Sequence, residues 1–156
     1  MQPDNAENKK TSLTLKQIAH GSPAYEEAVA LRYRILRAPL GLVFTVEQLA
    51  AENHDTHLAA YSENRLVGSL TLTRIDATMV QMRQVAVDSD VQGTGIGRDL
   101  VRFAEIIARE QGFQTMMLHA RESVLPFYLK LGYETYGEPF TEVTIPHRAM
   151  RKMLPK

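Results

Sequence analysis

The chain has 156 residues, its 18 basic side chains balance its 18 acidic ones, and it has no cysteine. That length suits one domain with a real core, and the charge balance offers no field for nucleic acid or an anionic membrane. Without thiols there are no disulfides, thiolate metal sites or cysteine nucleophile; with no membrane-length apolar run, signal-peptide h-region or internal repeat, a cytoplasmic protein is expected.

Residues 1–10 are polar and predict a disordered tail, leaving 11–156 as a single domain. Ser12–Ile18 alternates Leu13 and Leu15 with polar residues and predicts a strand. Ser22-Pro23 reads as an N-cap followed by proline in the first turn of a helix over 23–36. Ala24, Ala28, Leu31 and Ile35 form its apolar stripe, and Arg32, Arg34 and Arg37 are expected on a solvated face, with substrate contact as the alternative. Pro39 and Gly41 break the chain, and Thr45-Val46-Glu47-Gln48 predicts a capping box opening a short helix that ends near Asn53. His57–Tyr61 and Leu66–Thr73 read as a hairpin across Ser62–Arg65, with Leu66, Gly68, Leu70 and Leu72 on one face. His54, Asp55 and His57 cluster without a recognised metal-ligand spacing, so no metal is expected.

Met79–Val87 predicts a central strand. Gly93, Gly95 and Gly97 follow it, and a helix runs from about Gly95 to Glu110, with Ile96, Leu100, Phe103, Ala104 and Ile107 at helical spacing. Glycines at a helix N-terminus present backbone N–H groups and a positive dipole end to an anion. The loop lacks the P-loop lysine, and Arg98 stands where a dinucleotide fold needs its third glycine. Thr115–His119 predicts a buried strand parallel to the central one. A helix holds Pro126–Leu131 and stops at Gly132, and Tyr133–Tyr136 and Glu142–Met150 read as a last strand pair separated at Gly137 and Pro139.

Gln92-Gly93-Thr94-Gly95-Ile96-Gly97 after Gln84–Val87, with Phe127-Tyr128 and Gly132-Tyr133 later, resembles the GNAT N-acetyltransferases. Ile145-Pro146-His147 with Met150 is similar to a subgroup related to ElaA proteins. The resemblance implies an α/β (α+β) fold in the order βααβββαβαββ, a mixed, mostly antiparallel sheet of six to seven strands with helices on both faces. It implies acetyl-CoA as co-substrate, no metal, and an amine acceptor on a small molecule or protein that the sequence does not specify. Backbone groups of Val85, Ala86 and Val87 would hold the pantetheine arm. Those of Gln92, Gly93, Thr94, Gly95, Ile96, Gly97 and Arg98 would hold the pyrophosphate. Tyr128, beside Phe127, corresponds to the acid that protonates the leaving thiolate. The family's asparagine before this helix is replaced by Arg121-Glu122-Ser123, so Ser123 is a candidate for its contact. His119 and His147 are the base candidates, with Glu142 a third. The resemblance also allows a homodimer through the last strands. The competing readings are an acyl-CoA-binding sensor or interaction module without useful turnover, and a nucleotide-binding domain, which the loop spacing disfavours.

Overall fold

The computed structural model describes residues 13–156, so the predicted tail and Ser12 lie outside the described residues. Seven strands form one sheet: β1 (Leu13–Ile18), β2 (Thr56–Ser62), β3 (Arg65–Arg74), β4 (Met79–Val87), β5 (Thr115–Arg121), β6 (Glu134–Glu142) and β7 (Ile145–Met153). Their order is β1-β2-β3-β4-β5-β7-β6. The helices are α1 (Pro23–Arg32), α2 (Val46–Ala50), α3 (Ile96–Glu110) and α4 (Leu125–Lys130). The expected order βααβββαβαββ is observed, with the sheet at its upper count of seven.

Contacts divide the chain into two compact units, one holding the described chain through Thr71 with Gln84–Phe103, the other Leu72–Arg83 with Ala104–Lys156. In the first, β1 pairs antiparallel with β2, from Leu13 opposite Ser62 to Ile18 opposite His57. The Ser22 side chain caps α1 by accepting from the Tyr25 N–H, and Thr45 and Gln48 form the predicted capping box on α2. The core here gathers Ile18, Ala28, Leu31, Ala59, Leu66 and Ala86. Glu63 and Asn64 both have positive φ, 52° and 67°, as a two-residue hairpin turn requires.

Three expectations in this unit change. The helix predicted over 23–36 is α-helical only to Arg32; it widens into a π turn over Tyr33–Arg37 and tightens into a 3₁₀ turn at Ala38–Leu40, before Gly41 at φ 70°. Arg32 is not on a solvated face: it is 1% exposed. And β3 buries every residue from Leu66 to Leu72, not one alternate set, so both of its faces are covered.

In the second unit β4 runs parallel to β5, pairing Met79–Met82 with Thr115–Leu118. β5 pairs antiparallel with β7, and Leu118 meets Met150 in the buried interior. The turn expected at Gly137–Pro139 is a correction. Strand β6 continues through those residues with a register shift between Tyr136 and Phe140, and the chain reverses at Val143-Thr144. β6 is an edge strand, where a bulge accommodates a left-handed glycine and a proline lacking an N–H. Glu142 therefore ends β6 opposite Ile145 and does not begin the last strand.

Candidate functional site

The glycine-rich loop belongs to the first unit. β4 reaches it with a local distortion: Gln84 has φ 56°, a left-handed residue inside a strand, which re-aims the groups of Val85 just beyond it. Val85 and Val87 are half-buried, while Ala86 between them is in the core. The Asp88 N–H donates to the Val67 carbonyl at 2.8 Å, and its carboxylate accepts from the Asp90 N–H, opening a 3₁₀ turn over Ser89–Val91. The Gln92 side chain then donates back to the Val87 carbonyl at 2.9 Å, closing the loop on the strand end. Thr94 folds back too, its N–H and hydroxyl both donating to the Val91 carbonyl.

Gly93 and Gly95 have φ 84° and 90°, a region that favours glycine. A side chain at Gly93 would enter open space. The first bond of the α3 ladder runs from the Asp99 N–H to the Gly95 carbonyl at 3.0 Å. Helix geometry leaves the N–H groups of Ile96, Gly97 and Arg98 without intrahelical acceptors. A cradle of backbone donors at the positive end of a four-turn helix suits a pyrophosphate. Arg98 folds over the loop, its Nη2 2.7 Å from where a Gly95 Cβ would stand, and its Nε donates to Asp99 Oδ1 at 3.2 Å.

Asp88 also gathers charge that the sequence pattern did not reveal. Arg65 Nη1 and Arg34 Nη2 both donate to Asp88 Oδ2, at 3.1 and 3.4 Å. The Asp90 N–H, aided by both guanidiniums, holds the Asp88 carboxyl below the usual carboxylate range. Arg34 thus anchors to the end of β4. Arg37 lies over the Phe44 ring at 4.6 Å, and Arg32 lies at the same distance from that ring.

Arg32 belongs to a buried network. It makes a two-pronged bond to Glu52, 2.8 Å from Nη1 to Oε1 and 2.7 Å from Nη2 to Oε2. The Tyr25 hydroxyl donates to the same Oε1 at 2.7 Å. His57 Nε2 donates to the Glu52 carbonyl at 3.0 Å, so its Nδ1 faces the Thr71 hydroxyl as acceptor at 3.3 Å. Burial pushes the Glu52 carboxyl up, but the Arg32 and Tyr25 hydrogen bonds outweigh it and the net shift is downward. Burial also lowers His57, keeping it neutral. Of the clustered His54, Asp55 and His57, His57 has both ring nitrogens engaged here, and no group of three or more His, Asp or Glu among the described residues is placed to hold a metal ion. The signal for this network was Glu52 twenty residues after Arg32, a separation that carries no local periodicity.

In the second unit α4 delivers Tyr128, with Pro126 in its first turn as expected. Tyr128 is 6% exposed. Its ring meets Phe127 edge-on at 4.9 Å and Tyr133 at 5.8 Å. Its carbonyl accepts from the N–H groups of Leu131 and Tyr133, tying the ring to the helix end. Tyr133 in turn donates to Glu105 Oε2 at 2.8 Å, and Lys152 bonds both Glu105 oxygens and the Leu131 carbonyl. Burial pushes the Tyr128 phenol well above its ordinary value, so it is fully protonated at neutral pH. Ser123 lies in the exposed 3₁₀ turn Glu122–Val124.

The three base candidates come together. His119 lies within β5, two residues before its end. Its Nδ1 is 3.1 Å from Glu142 Oε1, and His147 Nε2 is 3.8 Å from Glu142 Oε2. Phe140 packs on both rings, edge-on to His119 at 4.9 Å and stacked on His147 at 5.9 Å. Strand register makes the cluster: Phe140 pairs with His147, and Glu142 with Ile145.

Residues 43–154 match the family model described as "Acetyltransferase (GNAT) domain". A Bacillus subtilis (strain 168) protein named as an acetyltransferase is 33% identical over 96 residues, 62% of this chain. The match spans 65% of that protein, and 64% of a second relative from the same organism, YyaT, so the chain spans less than two thirds of these curated relatives. Among solved structures, a Lactobacillus plantarum protein described as an N-acetyltransferase superposes with a TM-score of 0.79 at 25% identity, over 91% of this chain and 99% of that one. Escherichia coli ElaA gives 0.76 at 17%, over 90% and 99%. An aminoglycoside 6'-N-acetyltransferase complexed with coenzyme A gives 0.77 at 18%, over 92% and 98%. No helix among the described residues is long and apolar enough to cross a membrane. With the family model covering well over half its length and the fold agreeing strand by strand, the chain belongs to the GNAT acetyltransferase family.

Proposed function

We propose that this protein transfers an acetyl group from acetyl-CoA to a primary amine by direct attack. The observation that carries the reading is the loop: Gly93 and Gly95 take left-handed backbone that turns the chain into α3 and leaves the first-turn N–H groups as anion donors. The pyrophosphate lies on those donors from Gln92 to Arg98, and the pantetheine arm pairs with the backbone of Val85–Val87. The Val87 N–H polarises the thioester carbonyl, whose oxygen gains charge in the tetrahedral state.

The acceptor arrives as an ammonium ion, with a pKa of about 10.4 for an alkylamine. It loses one proton to a base drawn from the His119–Glu142–His147 cluster. The freed lone pair forms the C–N bond as the carbonyl π pair moves to oxygen. Collapse breaks the C–S bond, the thiolate takes the Tyr128 phenolic proton, and the second proton of the attacking nitrogen leaves to solvent, which returns one to Tyr128 as the neutral amide forms. Burial keeps the phenol protonated at neutral pH, so its hydrogen is in place for that transfer. The amine itself is left open: small amines, aminoglycosides and peptide N-termini are all in the class.

Calorimetric titration with acetyl-CoA tests the first half, on wild type and on Gly95→Glu. The new side chain would displace the Arg98 guanidinium and set a second anion in the cradle. Binding by wild type that is lost in a still-folded variant is expected; no binding by folded wild type overturns the proposal. An amine panel read by thiol release tests the second half, free of background because the chain has no cysteine. Binding without turnover on any amine would leave an acyl-CoA-binding module.

A further inference from the structure

The cluster on β5, β6 and β7 contains two imidazoles around one carboxylate, and their hydrogen bonds make them unequal. His147 Nδ1 is 2.7 Å from the Ile145 carbonyl. A carbonyl only accepts, so Nδ1 carries the hydrogen and Nε2 of the neutral ring bears the lone pair. That nitrogen faces Glu142 Oε2 at 3.8 Å, too far for a hydrogen bond. The His147 side chain is 5% exposed, and Phe140 covers one face of its ring. It is the less accessible of the two imidazoles, 5% exposed against 31% for His119.

His119 is built differently. Its side chain is 31% exposed. Its Nδ1 lies 3.1 Å from Glu142 Oε1. An ionised carboxylate also only accepts, so it selects the Nδ1–H tautomer and leaves the lone pair on Nε2. Phe140 against the ring edge limits its rotation. We infer that Glu142 is a positioning residue that fixes the His119 tautomer and presents Nε2 as the proton acceptor for the amine, with His147 a packing partner and not the base. The inference rests on the acetyl-transfer reading above. One proton moves, from the ammonium nitrogen to His119 Nε2. The amine regains its lone pair, the imidazolium keeps its Nδ1–H on Glu142, and the proton later leaves to solvent.

Long-range ¹⁵N–¹H NMR of the imidazole nitrogens reads the tautomer directly, in wild type, Glu142→Ala and Glu142→Gln, with His119→Gln for assignment. Glu142 is half-exposed at the end of an edge strand, so both variants are expected to fold, as the same spectra verify. Wild-type His119 is expected as Nδ1–H at neutral pH. Glu142→Ala should shift it toward Nε2–H and lower kcat about tenfold at an acetyl-CoA KM unchanged within about twofold. Glu142→Gln keeps an acceptor oxygen and should restore the tautomer and part of kcat. A wild-type Nε2–H tautomer, or one indifferent to Glu142→Ala, overturns the inference. Absence of turnover with every amine overturns the transferase reading instead, and the tautomer still decides the role of Glu142.

Discussion

Glu52 and Glu142 each hold two neighbours, and they differ in their access to water. Glu52 is buried, doubly bonded by Arg32, bonded again by Tyr25, and flanked by a neutral His57. Glu142 is half-exposed, bonded to one imidazole and short of a bond to the other. A carboxylate with both oxygens engaged in a dry site fixes a fold. One with a single engaged oxygen beside an accessible imidazole is free to manage a proton. Charge clusters in the molecule thus divide by solvation, not by residue type.

The largest break in that contrast comes from Glu52→Ala. It strands the Arg32 guanidinium, already carrying an unpartnered Nε, in a site 1% exposed. The expected cost is about 3–5 kcal/mol by urea denaturation, against about 0–1 kcal/mol for Glu142→Ala. Equal losses would erase the distinction. The pH dependence carries the same mark. Both Glu52 and His57 have folded-state pKa values below their ordinary ones. For either group the unfolded chain binds its proton first as pH falls, so the stability it contributes is present above the ordinary value and is lost below it. Stability should begin to drop below about pH 6.5 through His57, then fall again below about pH 4.3 through Glu52. His57→Gln should remove the first step only.

Tyr128→Phe sharpens the comparison from the catalytic side, because Tyr128 is as dry as Glu52 yet is proposed to donate a proton. Removing the hydroxyl should lower kcat about a hundredfold while acetyl-CoA binding holds. Unchanged turnover would make the ring a packing element between Phe127 and Tyr133. A smaller effect is expected at Arg98→Glu, which leaves the loop backbone alone and reverses the charge above Gly95. Acetyl-CoA affinity should fall about tenfold by calorimetry, the size of one charge-assisted contact. No change would confine Arg98 to its pair with Asp99.

The parts of this molecule that sequence pattern reveals are those whose constraint is local. Gly93 and Gly95 are glycines because the backbone is left-handed there, so the cradle is visible in the string of letters. Ser22 and Thr45 cap the helices they precede within three residues. Arg32 reads as surface because helix periodicity cannot register a carboxylate brought in from another element. His119, Glu142 and His147 could be named one by one, but only the β5–β7–β6 register makes them a cluster. Gln84 inside β4 and the bulge at Gly137–Pro139 are equally silent, because pattern alone does not separate a distortion from a strand end.

The two hairpin turns bring that lesson to a single substitution. Glu63-Asn64 and Val143-Thr144 each reverse the chain in two residues, and all four have positive φ. Asn64 tolerates that region and announces the turn. Val143 at φ 43° and Thr144 at 65° are β-branched residues where they are strained, and the pattern conceals the turn. Replacing them with Asn and Gly supplies the pair such turns prefer. Relief of the strain should stabilise the protein by about 1 kcal/mol, or about 2–4 °C in Tm for a chain of this size. The His119 tautomer should not move, because Glu142 and Ile145 already fix the register across the turn. A gain in stability accompanied by a changed tautomer would mean that the strained turn itself sets the aim of Glu142, and that fold and site are not separable at this end of the sheet.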